Sequence, residues 1–219
     1  MSFANREEAA LQLARRLAPY RGKKPLILAI PRGAVPMGRI IADALEGDLD
    51  VVLVRKLGAP NNPEFAVGAV DEGGKILVEP YARRMGISDA YLQEEAARQL
   101  AVMKRRRAQY TPVHHPFDPA GRLVIVVDDG VATGATLSAA LRFLRERRPL
   151  RLVAAVGVAP PEVAAQLTTL ADEVLCLETP DPFYAVGAFY ADFGEVTDDD
   201  VIAILRESQG APEKPGEKS

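Results

Sequence analysis

The stretch from Leu123 to Leu137, LVIVVDDGVATGATL, constrains the fold more than any other part of the chain. It opens with five apolar residues, Leu123 to Val127, four of them β-branched. That is how a parallel strand buried on both faces reads. Asp128 and Asp129 close the run, and a loop of small and hydroxylated residues follows. Leu137, Ala140, Leu141 and Leu144 then recur at the spacing of one helix face. Strand, short loop and helix in this order form one unit of an α/β sheet. Ligands of such sheets gather outside the carboxyl ends of the strands.

Residue chemistry indicates what this unit can hold. The first N–H groups of a helix lack internal partners, and the macrodipole is positive there. A phosphate is therefore at home on the loop Gly130, Val131, Ala132, Thr133, Gly134, Ala135 and Thr136. Gly134 and Ala135 allow close approach to the backbone, and Thr133 and Thr136 add hydroxyl donors. Carboxylates repel phosphate but accept hydrogen bonds from hydroxyls, so Asp128 and Asp129 suit a sugar diol. Together the stretch suggests a ribose 5-phosphate. The bland alternative is an ordinary strand–helix turn with an acidic loop.

Other segments supply further units. Asn5 and Glu8 have capping-box spacing ahead of an N-terminal helix. Pro25 to Ile30 reads as the first core strand, broken by Pro31-Arg32-Gly33-Ala34, with a helix over Val35 to Leu45. Arg32 and Gly33 then stand at the top of the sheet, where a basic side chain beside exposed N–H groups suits a diphosphate. Leu49 to Val54 reads as the next strand, with Arg55 and Lys56 at its carboxyl end. Phe65 to Val70 and Lys75 to Val78 flank Asp71-Glu72-Gly73-Gly74 and predict a hairpin. Ser88 to Gln109 reads as a long helix whose basic run, Lys104 to Arg107, complements the dipole at its end. Thr111 to Ala120 is a proline-rich linker, with His114 and His115 as surface residues. Arg151 to Val158 and Glu173 to Leu177 are strands around a short helix that ends near Leu170, and Thr197 caps a last helix to about Arg206. Glu178 to Phe193 holds five of the chain's seven phenylalanines and six tyrosines, outside any helical or strand period, as the wall of a pocket or lid would.

The expected fold is α/β: a doubly wound, parallel-sheet core, an antiparallel hairpin loop and a C-terminal hood. One domain covers residues 1–207, with core segments at about 22–58 and 111–178, the loop and helix insertion at 59–110 and the hood at 178–207. Residues 208–219 are polar and charged, and read as a disordered tail. A net charge of −3 argues against nucleic acid as a partner. The single cysteine, Cys176, reads as a small core hydrophobe and suits a reducing compartment. No apolar run is long enough to span a bilayer, and the expected location is cytoplasmic.

Asp128, Asp129, Thr133, Gly134 and Thr136 resemble, position by position, the PRPP-binding signature of type I phosphoribosyltransferases. In that signature a hydrophobic strand leads into Asp-Asp, a few residues and Thr-Gly-x-Thr. Pro31-Arg32-Gly33-Ala34 is similar to the family's pyrophosphate loop, which often holds a strained or cis peptide. Val54-Arg55-Lys56-x-Gly58-x-Pro60 is similar to the segment that reaches pyrophosphate before a mobile loop. Tyr184-Ala185-Val186-Gly187, with Phe183 before it, is similar to the hood motif of purine-specific members.

The resemblance implies transfer of a 5-phosphoribosyl group from PRPP to a nitrogen acceptor, such as a nucleobase, with release of pyrophosphate. It implies that Asp128 and Asp129 are the catalytic, ribose-binding acids and that Gly130 through Thr136 hold the 5-phosphate. Arg32, Gly33, Arg55 and Lys56 would hold pyrophosphate, and Phe183, Tyr184 and Val186 the acceptor. Mg²⁺ would be held mainly through substrate oxygens and waters, with Asp128 and Asp129 as protein ligands. A homodimer is a common family state. One departure concerns the acceptor: Ala132 stands where oxopurine-specific members carry an acid, although adenine-specific members also have alanine there. A PRPP-sensing regulator without turnover is the alternative, and a ribose-phosphate hydrolase a third reading.

Overall fold

The computed structural model describes residues 2–110 and 116–209. In chain order the elements are α1 (Arg6–Arg16), β1 (Leu26–Ala29), α2 (Ala34–Leu45), β2 (Asp48–Val51), β3 (Val54–Ala59), β4 (Asn62–Asp71) and β5 (Ile76–Val78). They continue with α3 (Pro80–Arg84), α4 (Asp89–Tyr110), β6 (Leu123–Asp128), α5 (Ala135–Glu146), β7 (Arg151–Val158), α6 (Pro161–Leu167), β8 (Glu173–Glu178) and α7 (Asp198–Gln209).

The core sheet is parallel, in the order β2-β1-β6-β7-β8. Its three central strands, β1, β6 and β7, are apolar at nearly every position because both faces are covered. Alternate residues point to opposite sides. Ile27, Ala29, Leu49, Val51, Ile125 and Val127 join α1 and α2 in one cluster. Leu26, Leu28, Val124 and Val126 meet Leu137, Ala140, Leu141 and Leu144 of α5 in the other. The helix face expected after the acidic loop is thus the buried face of α5. Ala29 lies opposite both Val51 and Val127, so the carboxyl ends of β1, β2 and β6 finish level.

A second sheet, β3-β4-β5, is antiparallel. It contains the expected hairpin, and one face packs on α5, where Ala139 and Phe143 meet Ala69, Val54 and Leu77. The strand ends differ from the sequence expectation. The core strand β2 ends at Val51, and Arg55 and Lys56 lie inside β3 rather than at the tip of a core strand. Val52 and Leu53, which join the two strands, are themselves buried. The apolar run therefore continues through the bend and leaves no mark of it in the sequence.

Local chemistry sets the ends of the helices. The Asn5 side chain accepts from the Glu8 N–H at 3.0 Å, and the Glu8 carboxylate accepts from the Ala4 N–H at 2.6 Å. The box closes one residue earlier than its usual form, in which the acid accepts from the capping residue itself. Thr197 Oγ1 accepts from the Asp200 N–H at 3.1 Å, and the Asp200 carboxylate accepts from the Thr197 N–H at 2.8 Å. Helix α7 runs on to Gln209, so Ser208 and Gln209 are helical rather than part of the tail. Residues 210–219, and His114 and His115, lie outside the described residues. No helix among the described residues is long and apolar enough to cross a membrane.

Candidate active site

The loop after β6 bends as its residues require. Gly134 sits at φ +77° immediately before α5, in the left-handed region that suits glycine. Its Cα also faces Val163, and a Cβ there would lie 2.9 Å from that side chain. Thr133 Oγ1 accepts from the Ala135 N–H at 3.5 Å. Val131 is buried, whereas Ala132 and Thr133 are exposed at the mouth of the loop. Gly130 faces the hood: a Cβ there would stand 2.3 Å from Val186.

The two acids differ in their surroundings. Asp128 receives backbone N–H groups from Asp129 and Gly130, yet burial, and then the neighbouring Asp129 charge, raises its pKa well above the ordinary carboxylate range. Asp129 is held on three sides. Arg6 Nε donates to its Oδ2 at 2.7 Å. Gly33 presses against the same oxygen, which a Cβ on Gly33 would approach to 2.1 Å. The Tyr190 hydroxyl donates to the Asp129 backbone carbonyl at 2.5 Å.

The basic residues divide. Arg55 and Lys56 line a cavity of about 670 Å³ together with Pro31, Thr133, Ala135 and Thr136. The strand β3 and the loop after β6 therefore face a common space. Phe65, Ala66, Tyr81, Met103 and Arg106 complete the part of the wall contributed by the insertion. Arg55 donates to the Gln99 side chain at 2.5 Å, and burial, followed by the nearby Arg106 charge, lowers its pKa. Arg32 follows a cis Pro31–Arg32 peptide, but its guanidinium donates to Glu195 of the hood at 2.7 Å.

The hood also divides. Val186 packs against Gly130, and Phe183 stacks on Phe189 with centroids 5.4 Å apart. Tyr184 is 82% exposed, away from the cavity, and the tyrosine that reaches the signature is Tyr190. The N-terminus is woven into this hood, since Ala191 and Asp192 N–H groups donate to the carbonyls of Phe3 and Ala4 at 2.9 and 2.8 Å.

Sequence reasoning missed Arg6, Arg106 and Tyr190. A weak signal existed for each arginine. Arg6 is a cation in the first turn of a helix, where the dipole disfavours it. Arg106 shares a face with Gln99 and the buried Met103, at i, i+4 and i+7. Among the described residues no group of three or more His, Cys, Asp or Glu could hold a metal. Adjacent carboxylates nevertheless fit Mg²⁺, which binds through one or two acids and otherwise takes waters and substrate oxygens. Asp128 and Asp129 are the residues that would hold it.

Residues 2–193 match the phosphoribosyl transferase domain family. The chain belongs to that family. A Mycobacterium tuberculosis (H37Rv) protein provisionally named a phosphoribosyl transferase is 39% identical over 204 residues, 93% of this chain and 46% of the relative. The chain thus spans just under half the length of that relative. The crystal structure of TT1426 from Thermus thermophilus is similar at 50% identity and a TM-score of 0.84, covering 94% of this chain and 99% of that one. A ribose-phosphate pyrophosphokinase of Streptomyces coelicolor is 28% identical over 140 residues, covering 58% of this chain and 43% of the relative.

Proposed function

We propose that this chain transfers a 5-phosphoribosyl group from PRPP to a nitrogen acceptor, a nucleobase by preference, and releases pyrophosphate. The observation that carries the reading is the shared cavity: Arg55 and Lys56 face Thr133, Ala135 and Thr136 across it. A ligand with phosphate groups at both ends of a sugar matches that layout. The kinship with a ribose-phosphate pyrophosphokinase, whose name carries both groups, agrees with it.

The residues take separable parts. The loop from Gly130 to Thr136 binds the 5-phosphate through unpaired N–H groups and the threonine hydroxyls. Asp128 and Asp129 orient the ribose hydroxyls. Arg55, Lys56 and Arg106 offset the charge that develops on the departing diphosphate. The Pro31–Gly33 turn presents backbone groups to the same anion. Mg²⁺, when bound, neutralises diphosphate charge and helps orient the sugar. Val186 and Phe183 form the inner wall on the acceptor side, and closure against water falls to the hood and the β3–β5 sheet.

The reading is tested by incubating the protein with PRPP, Mg²⁺ and a panel of purine and pyrimidine bases, followed by mass spectrometry. A ribosylated base 5′-phosphate supports transfer, and free ribose 5-phosphate alone would make the protein a hydrolase. Ala132, which offers no proton-transferring group beside the acceptor, favours a second reading, a PRPP-sensing regulator. Such a protein binds PRPP and yields no product with any base.

A further inference from the structure

Arg6 belongs to no motif, yet it is the most heavily engaged cation near the signature. Its Nε donates to Asp129 Oδ2, and its Nη1 donates to the Gly194 carbonyl, each at 2.7 Å. The guanidinium lies 3.7 Å from the centroid of the Phe193 ring. Phe193 stacks on Tyr190 at 5.0 Å, and Tyr190 meets Phe3 at 5.2 Å. This column of three rings is capped by a cation whose charge is directed at one of the two acids. Arg6 and Asp129 side chains are only 14% and 13% exposed, so the pair is shielded from solvent. Among the described residues no lysine or arginine pairs with Asp128.

Building on the PRPP reading, we propose that Arg6 is a positioning residue that separates the roles of the acid pair. Of the two acids assigned above to the ribose, it holds Asp129 against Gly33 and the hood, so that Asp128 is the one that touches the hydroxyls and Asp129 contributes by keeping the pair in place. Three observations support this. The Arg6 bond and the Gly33 contact fall on the same oxygen of Asp129, which fixes its rotamer. The Tyr190 hydroxyl fixes the backbone of the same residue. Gly194 and Phe193, the other partners of Arg6, belong to the hood, so the position of the acid and the seating of the hood are set by one side chain. A flexible pair of adjacent acids would have to be ordered by the ligand, at a cost to affinity.

The test is calorimetric titration of the full chain with PRPP and Mg²⁺, with a melting curve for every variant. Arg6→Met and Asp129→Asn are each expected to weaken PRPP about 10- to 100-fold, the range seen when a supporting partner of a ligand-binding side chain is removed. The double variant should be no weaker than the worse single variant, since both changes break one interaction. Asp128→Asn should lose more than either. A tether that merely holds the hood would lower the melting temperature and leave affinity, measured well below it, within about twofold of wild type; that result overturns the proposal, and so do losses that multiply in the double variant. Should Arg6→Met fail to fold, Arg6→Lys replaces it, keeping the charge but not the two-point hydrogen bonding, with the same expected loss and the same contrary result. A wild-type chain that binds no PRPP removes the functional reading and this inference with it. Wild-type binding matched by Arg6→Met removes the inference alone.

Discussion

Gly33 and Asp129 are in contact across the top of the sheet: a Cβ on Gly33 would stand 2.1 Å from Asp129 Oδ2. The turn after β1 and the acid after β6 are therefore fitted to each other, and Gly33 has an ordinary φ of −55°. Space, rather than backbone freedom, demands glycine here. Gly33→Ala is expected to displace the carboxylate from Arg6. Overpacking of this kind costs about 1–3 kcal/mol, and each kcal/mol lowers the melting temperature by about 2–4 °C in a chain of this size. PRPP affinity should fall about tenfold or more, as for Arg6→Met. A normal melting curve with normal PRPP binding would show that the contact is readily relieved.

Arg106 faces the same cavity as Arg55 and Lys56. Its charge lowers the Arg55 pKa, second only to burial, and its Nε lies 3.9 Å from Asp198, so an anion entering the cavity meets two guanidinium groups of which one already has an acid nearby. Arg106→Met should weaken inorganic pyrophosphate by about 10- to 100-fold, the worth of one or two charge-assisted hydrogen bonds. Calorimetry with pyrophosphate reads this directly. Unchanged binding would place the anion elsewhere.

Arg107 ties the insertion to the core, alongside the Lys75–Glu146 and Arg142–Glu79 pairs. Arg107 Nη1 donates to Asp50 at 2.7 Å, and its Nε and Nη2 donate to Glu72 at 2.7 and 2.8 Å. Asp50 is 1% exposed. Arg107→Met leaves that carboxylate buried without the cation, a loss of about 3–5 kcal/mol for a broken buried pair. Urea unfolding measures it. A loss below about 1 kcal/mol would mean that water or another group takes the place of the arginine.

Cys176 is half-buried and donates to the Glu178 carbonyl at 3.1 Å, and this partial burial pushes its thiol pKa up to about 11. Its neutral form is favoured by folding. The native protein should therefore resist iodoacetamide at pH 8 and react progressively faster as the pH rises toward 11, whereas the urea-unfolded chain should react near the ordinary thiol pKa of about 8.5. The same asymmetry makes this group's contribution to stability complete below the unfolded pKa and lost as the pH climbs through the folded one. Alkylation of the native protein at pH 8 as fast as that of the unfolded chain would contradict the raised pKa.

What the sequence made legible was local. The acids, the loop and α5 lie within one contiguous stretch, and the strand–loop–helix unit that its periodicity predicts is the one that forms. The buried face of α5 and the strand β7 stand where the pattern placed them. Contacts made across the chain left little trace. Arg6 and Asp129 are separated by 123 positions, and nothing in either neighbourhood names the other. Arg55 and Lys56 stood out as candidate anion ligands but not as residues of an antiparallel strand, because Val52 and Leu53 continue the apolar run through the bend. In the hood, irregular backbone offers no period, so Tyr184 and Tyr190 look alike in sequence although one is exposed and the other is bonded to the Asp129 carbonyl.

The central claim is that the pair Asp128–Asp129, together with the cavity lined by Arg55, Lys56 and the loop after β6, binds PRPP for transfer. The most direct measurement is pyrophosphate release from PRPP with Mg²⁺ and the base identified by product analysis, comparing wild type with Asp128→Asn. The account predicts acceptor-dependent release in the wild type and a fall of about 100-fold or more in the variant, the loss of a charged group aimed at the reacting sugar. Release that is undiminished by Asp128→Asn would contradict it.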